Sequence, residues 1–230
     1  MPTRSPDRAG LGPLPPRRAR LACASVLALA LALGATGCGT LGTHQGTAPV
    51  APGQWQVAAS AGVVGLVDTE QKTRAPGADV QLALRRGLAT DLDAGVKLSP
   101  FGLDALLKWR VLSGSWPVAV APSVGFARTP RTGLTTNAFF TWAHLPIVFG
   151  HAVSEKVSIN AGPHLIYGYY LPAVGDPAHG LSLGAFVNLE WRVAPRARLL
   201  PEIGVFRTLV GEVPITGWMA YVGPGVLVDL

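Results

Sequence analysis

The sequence predicts an all-β chain, an antiparallel up-and-down transmembrane β-barrel of about ten strands, with eight as the alternative. Three observations lead there. From Gln54 to Leu230, apolar and polar residues alternate with period two, the signature of strands with two different faces. The alternating segments are long: strands of soluble domains average about 5–6 residues, whereas a tilted membrane-crossing strand needs about 9–11. Finally, 28 Gly and 20 Pro among 230 residues, with 49% hydrophobic and 14% charged residues, are too many helix breakers for a bundle and too little charge for a disordered chain.

The N-terminus reads as a targeting segment. Arg4, Arg8, Arg17, Arg18 and Arg20 stand against a single Asp7, and Leu21 to Gly34 is an apolar, small-residue run. These are the n-region and h-region of a secretory signal; the run is shorter than the roughly 20 residues a membrane-spanning helix needs. The run ends in Ala35-Thr36-Gly37-Cys38, which resembles a bacterial lipobox, with Ala35 where that pattern prefers Leu. The resemblance implies cleavage before Cys38 and acylation of that cysteine, with palmitate as the kind of chain attached. Residues 1–37 are then a lipoprotein signal peptide, 38–53 the lipidated Cys and a flexible linker, and 54–230 the barrel. The linker assignment rests on Gly39 to Gly53 (GTLGTHQGTAPVAPG), which is polar, Gly/Pro-rich and aperiodic.

This division changes the meaning of the charge. The whole chain carries a formal +6, the sign of a nucleic-acid binder. Five of its 19 basic residues and one of its 13 acidic ones leave with residues 1–37, so the mature chain is near +2, and no nucleic acid is expected as a partner. Cys23 leaves too and Cys38 is acylated, so no thiol remains for a disulfide, a metal or a nucleophile.

The barrel strands are expected at about 54–67, 78–86, 90–98, 102–112, 116–127, 138–149, 156–169, 180–193, 196–208 and 216–230. Charge sorts sharply between their faces. In the second strand Asp79, Gln81 and Arg85 oppose Val80, Leu82 and Leu84, and in the third Asp91, Asp93 and Lys97 oppose Leu92, Ala94, Val96 and Leu98. The fourth sets Asp104, Lys108 and Arg110 against Leu103, Leu107 and Trp109, and the eighth sets Asn188, Glu190 and Arg192 against Leu183, Val187, Leu189 and Trp191. On the apolar faces of these four strands only Arg86 is charged, at a strand end.

Aromatic placement and loop length choose lipid for that apolar face. With the N-terminus periplasmic, Trp55, Trp116, Phe149 and Trp191 fall near periplasmic strand ends, with Trp109 a little deeper; Phe126, Phe139, Tyr167, Tyr169 and Trp218 fall at the other ends. Two aromatic girdles are what membrane–water interfaces favour. Turns near Gly87, Gly114, Ser154 and Pro195 look short, and the opposite connections 68–77, 128–137, 171–179 and 210–215 look longer, with 99–101 the exception. Prolines 122, 163, 201 and 224 fall inside expected strands, where bulges are the expected accommodation.

With these features the chain resembles the small outer-membrane β-barrel proteins of Gram-negative bacteria. The last residues, Gly225-Val226-Leu227-Val228-Asp229-Leu230, are similar to the C-terminal assembly signal of that family, with Leu230 where it prefers an aromatic. The resemblance implies a cell-outer-membrane location with the N-terminus periplasmic and lipid-anchored. It implies as partners the outer-membrane lipids, the barrel-assembly and lipoprotein-sorting machinery, and an unidentified protein at outer loops such as Val67–Gly77.

The interior is expected to hold an ion network of Asp79, Arg85, Asp91, Asp93, Lys97, Asp104, Lys108 and Arg110. If facing residues of strands two and three share an index sum of 176, Arg85 faces Asp91 and Asp79 faces Lys97. If strands three and four share a sum of 201, Lys97 faces Asp104, Asp93 faces Lys108 and Asp91 faces Arg110. All five pairs are of opposite sign, a few tenths to about 1 kcal/mol each. A second polar row, His144, Asn160, Glu190 and Arg198, reads either as an acid/base relay or as a satisfied lumen layer, the usual content of such barrels.

Three function classes follow. The first is a structural or interaction scaffold, or a narrow channel, with no catalysis and no cofactor. The second is a periplasmic lipocalin-like lipid-binding lipoprotein, for which Gly53-Gln54-Trp55 matches the opening motif and in which the apolar face points inward. The third is a lipid-modifying hydrolase using His179, Ser182 and Glu190, against which the three-residue spacing of His179 and Ser182 places them on opposite faces. Five scattered histidines offer no metal-ligand spacing.

Overall fold

A computed structural model describes residues 41–69, 72, 74–99, 102–129, 138–172, 175–211 and 217–230. The expected signal peptide, Cys38 and the centres of several of the longer connections lie outside the described residues. Period-two alternation becomes strands throughout. They are β1 (Trp55–Asp68), β2 (Arg74–Ala89), β3 (Leu92–Leu98), β4 (Gly102–Leu112), β5 (Val118–Val120), β6 (Ser123–Thr129), β7 (Ala138–Ala152), β8 (Val157–Pro172), β9 (Ala178–Ala194), β10 (Ala197–Leu199), β11 (Glu202–Gly211), β12 (Gly217–Gly223) and β13 (Gly225–Asp229).

These segments fill ten positions of one closed antiparallel sheet. β5 and β6 share the place between β4 and β7, β10 and β11 share the place after β9, and β12 and β13 share the last. β1 closes the ring, pairing with β2 on one side and with β12 and β13 on the other. Closure leaves no sheet edge, which is the condition for strands to stand in lipid.

Proline explains the three split positions. Pro122, Pro201 and Pro224 sit at the breaks rather than in bulges. Each lacks the N–H that would donate to the residue opposite, yet its carbonyl still accepts from that same residue, so one of the pair's two bonds survives: Leu107 N donates to Pro122 O (3.0 Å), Leu189 N to Pro201 O (3.1 Å) and Ala61 N to Pro224 O (3.2 Å). The ladder is therefore interrupted on one side only. Pro163 stays within β8, with Gly162 beside it; a Cβ on Gly162 would collide with the Ile147 carbonyl of β7.

The two faces separate as the pattern requires. On β4, Leu103, Leu107 and Trp109 are exposed while Asp104, Leu106 and Lys108 are buried. On β11, Ile203, Val205 and Arg207 are exposed while Glu202, Gly204 and Phe206 are buried. The outside is apolar and the inside carries the charge. That is the reverse of a lipid-holding lumen, and it overturns the lipocalin-like expectation.

Trp55, Arg86 and the two-residue connections Thr90–Asp91 and Pro195–Arg196 mark one end of the barrel, the turn end; Asp68 and Trp218 mark the loop end. Trp55, Trp109, Trp116, Phe149 and Trp191 are exposed toward the turn end, and Phe126, Phe139, Tyr167 and Trp218 toward the loop end. Trp55 opposes Arg86 and Val67 opposes Trp218. At about 3.3 Å per residue and a tilt near 40° the two aromatic belts stand about 30 Å apart.

Candidate functional site

The site that this barrel encloses is its lumen, built from the inward residue of each alternating pair. β3 and β4 pair with index sum 201, so Asp93 stands opposite Lys108 and Lys97 opposite Asp104. Their charged atoms approach to 4.0 Å and 3.3 Å. Arg110 meets Asp91 at 2.6 Å near the turn end, half in solvent.

β2 and β3 correct the expected register. Their sum is 180 rather than 176, so Arg85 lies opposite Gly95, not Asp91. A Cβ at Gly95 would stand 3.0 Å from Arg85 Cγ. The bare glycine lets the Arg85 side chain lie across it and reach Asp93 diagonally, at 2.5 Å. Asp93 thus serves Arg85 and Lys108 together. Asp79 is bonded instead to Gln81 Nε2 (2.8 Å) and to backbone described below.

The second row divides into separate pairs. Glu190 accepts from Arg198 at 3.0 Å, and Arg198 also holds Asp229 at 2.6 Å. Asn160 donates to Asn188 at 2.9 Å. His144 contacts His164 at 2.9 Å between ring nitrogens, with Phe206 edge-on to His164 at a centroid distance of 5.1 Å. His164, Glu202, Tyr221 and Asp229 are interior polar groups that charge sorting along the four strands did not single out, whereas Asn188 stands on the polar face read for the eighth strand. Glu202 had a readable signal, an acid alternating with apolar Ile203 and Val205.

Residues 41–50, part of the segment expected as a flexible linker, lie inside the lumen. Their contacts come from around the ring. Leu41 N and Gly42 N donate to Asp79 Oδ2 of β2 (3.2 and 3.0 Å). Thr43 N, Thr43 Oγ1 and His44 N donate to Glu202 of β11 (2.6, 2.7 and 2.8 Å). Val50 N donates to Asp93 of β3 (2.9 Å). The segment's carbonyls accept in turn: Gly46 O and Ala48 O from Lys108 Nζ (3.2 and 2.9 Å), and Gln45 O from Asn188 Nδ2 (3.0 Å).

Local geometry suits the fit. His44 takes a left-handed φ of 43°, which is uncommon for a residue with a Cβ. Thr43 and His44 turn successive N–H groups toward one carboxylate, the arrangement of a backbone anion nest. Gly46 passes where a Cβ would collide with the Glu190 carboxylate. Toward the loop end Leu41 enters an apolar layer of Val64, Ile166, Phe206, Met219 and Tyr221. The segment therefore runs from mid-barrel down to the turn end, where Pro52 bridges to Gly87.

The three hydrolase candidates are not gathered into one site. Ser182 is buried and bonds Thr208 Oγ1 (3.2 Å), Glu190 is taken by Arg198, and His179 is exposed, its ring 6.4 Å from that of Tyr167. Among the described residues no group of three His, Cys, Asp or Glu side chains could hold a metal.

No family model matches the chain, and no curated protein does. Solved structures align with the chain at low identity. The translocator domain of autotransporter NalP from Neisseria meningitidis aligns with TM-score 0.47 and 12% identity, over 93% of this chain and 96% of that one. Neisserial surface protein A (NspA) aligns with TM-score 0.44 and 12% identity, over 76% and 97%. Ail, the attachment invasion locus protein of Yersinia pestis, aligns with TM-score 0.41 and 10% identity, over 78% and 99%.

Proposed function

We propose that this chain is an outer-membrane β-barrel lipoprotein, a structural and interaction scaffold whose lumen is filled by its own residues 41–50. One observation carries the reading: two outward aromatic belts about 30 Å apart bound an apolar band around a charged interior, matching the roughly 25–30 Å of a bilayer core. Arg86 and Arg207 fit the same scheme, since these outward cations lie over Trp55 and Trp218, one in each belt. The lipobox resemblance supplies an acyl anchor at Cys38, and the outer loops supply the surface for a protein partner.

The test is extraction and gel behaviour. An integral barrel stays with membranes through alkaline and urea washes, and its gel mobility shifts on boiling. Release by removal of the anchor alone, with no boiling shift, refutes the barrel-in-membrane reading. Loss of a metabolically incorporated acyl label in C38A tests the anchor separately.

A further inference from the structure

Residues 41–50 occupy the lumen without belonging to the wall. The ring of strands closes on itself, so no wall strand needs the segment as a partner. The segment itself forms no ladder; the bridge Pro52↔Gly87 lies just beyond it. It is held by side chains reaching in from the wall. Its departure therefore leaves the wall's backbone pairing intact.

Two of those side chains are unlike the other interior acids. Asp93, Asp104 and Glu190 each face an Arg or Lys. Among the described residues, Asp79 and Glu202 have no such cation. Their donors are backbone N–H groups of residues 41–44, the Thr43 hydroxyl, and the neutral side chains Gln81, Asn188 and Tyr221. Without the segment, both acids lose most of their donors and turn to water and mobile cations. Beside the segment a cavity of about 20 Å³, lined in part by Thr43, Gln45, Gln81, Arg85 and Lys97, already has room for a water.

We propose that residues 41–50 are a displaceable plug, and that their withdrawal turns the closed barrel into a narrow pore preferring monovalent cations, with Asp79 and Glu202 as its selectivity site. Acidic side chains lining a constriction set cation preference, and these two stand near mid-lumen. Asp79 lies opposite Gly62, near the middle of β1, and Glu202 is bonded to Tyr221, which lies opposite Val64. The proposal rests on the membrane-spanning reading above.

The test uses full-length protein in planar bilayers under a KCl gradient. In L41D/T43D, new carboxylates beside Asp79 and Glu202 expel the segment by repulsion; deletion of residues 41–50 removes it. The wild type is expected to be nearly silent. Both variants are expected to conduct at least about tenfold more, with a reversal potential on the potassium side. D79N/E202Q in the deletion background moves that potential toward zero. Variants that insert and shift on boiling, yet stay silent or favour chloride, overturn the plug proposal; L41D/T43D decides if the deletion does not fold. A wild type that never enters the bilayer refutes the membrane reading instead.

Discussion

Replacing Glu202 with Gln isolates what holds the plug. Glu202 Oε2 accepts from Thr43 Oγ1, His44 N and Asn188 Nδ2, and Oε1 from Thr43 N and Tyr221 OH. In Gln one of these oxygens becomes an amino group. Whichever way the amide turns, one plug N–H, of Thr43 or of His44, then faces another donor. An orphaned buried N–H costs about 1–3 kcal/mol, and the surviving bond drops from charge-assisted to neutral strength, about 1 kcal/mol more. The sum, about 3 kcal/mol, is about a hundredfold in the docked-to-undocked ratio. The wall is much less affected, because Glu202 has no cationic partner among the described residues and E202Q strands no opposite charge. Hydrogen exchange reads both effects at once. The Thr43 and His44 amides should exchange about a hundredfold faster, while amides of β9 and β11 keep their protection. Unchanged exchange at Thr43 and His44, or a uniform loss across the barrel, refutes the reasoning.

Two further pairs of substitutions test the wall. D93N leaves Arg85 and Lys108 buried without their shared carboxylate, a loss of about 3–5 kcal/mol, so the folded band on unboiled gels should vanish at a clearly lower temperature. D91N, in the half-exposed pair with Arg110, should change that temperature little, since such pairs contribute at most about 1 kcal/mol. G162A drives a Cβ into the Ile147 carbonyl and should lower the yield of folded barrel, whereas G65A, with Ala220 O at 4.0 Å, should fold normally; equal yields would discount the close approach of β7 and β8.

Much of the wall was legible because period two leaves little choice. A strand with charges on one parity and leucines on the other has one face for water and one for oil, whatever its neighbours. The register of β3 and β4 is written in the same way, since the sum of 201 brings three opposite-charge pairs together. The register of β2 and β3 is not. A slip by an even number of residues keeps every side chain on its face, so charge sorting tolerates both 176 and 180. The tight connection at Thr90–Asp91 and the space above Gly95 decide for 180.

Sequence alone determined the fold class, the strand positions and which residues face inward, because these follow from local alternation and from the length a bilayer demands. The tertiary structure alone decided where residues 41–50 go. Their Gly/Pro-rich, aperiodic sequence carries no signal of burial, and it reads as a tether. Its partners Asp79, Asp93 and Glu202 lie 37–159 positions away along the chain. They come together only when the ring of strands closes and leaves a row of inward carboxylates needing N–H donors. Burying a charge requires such partners, and the nearest unused donors belong to the backbone that leads into β1.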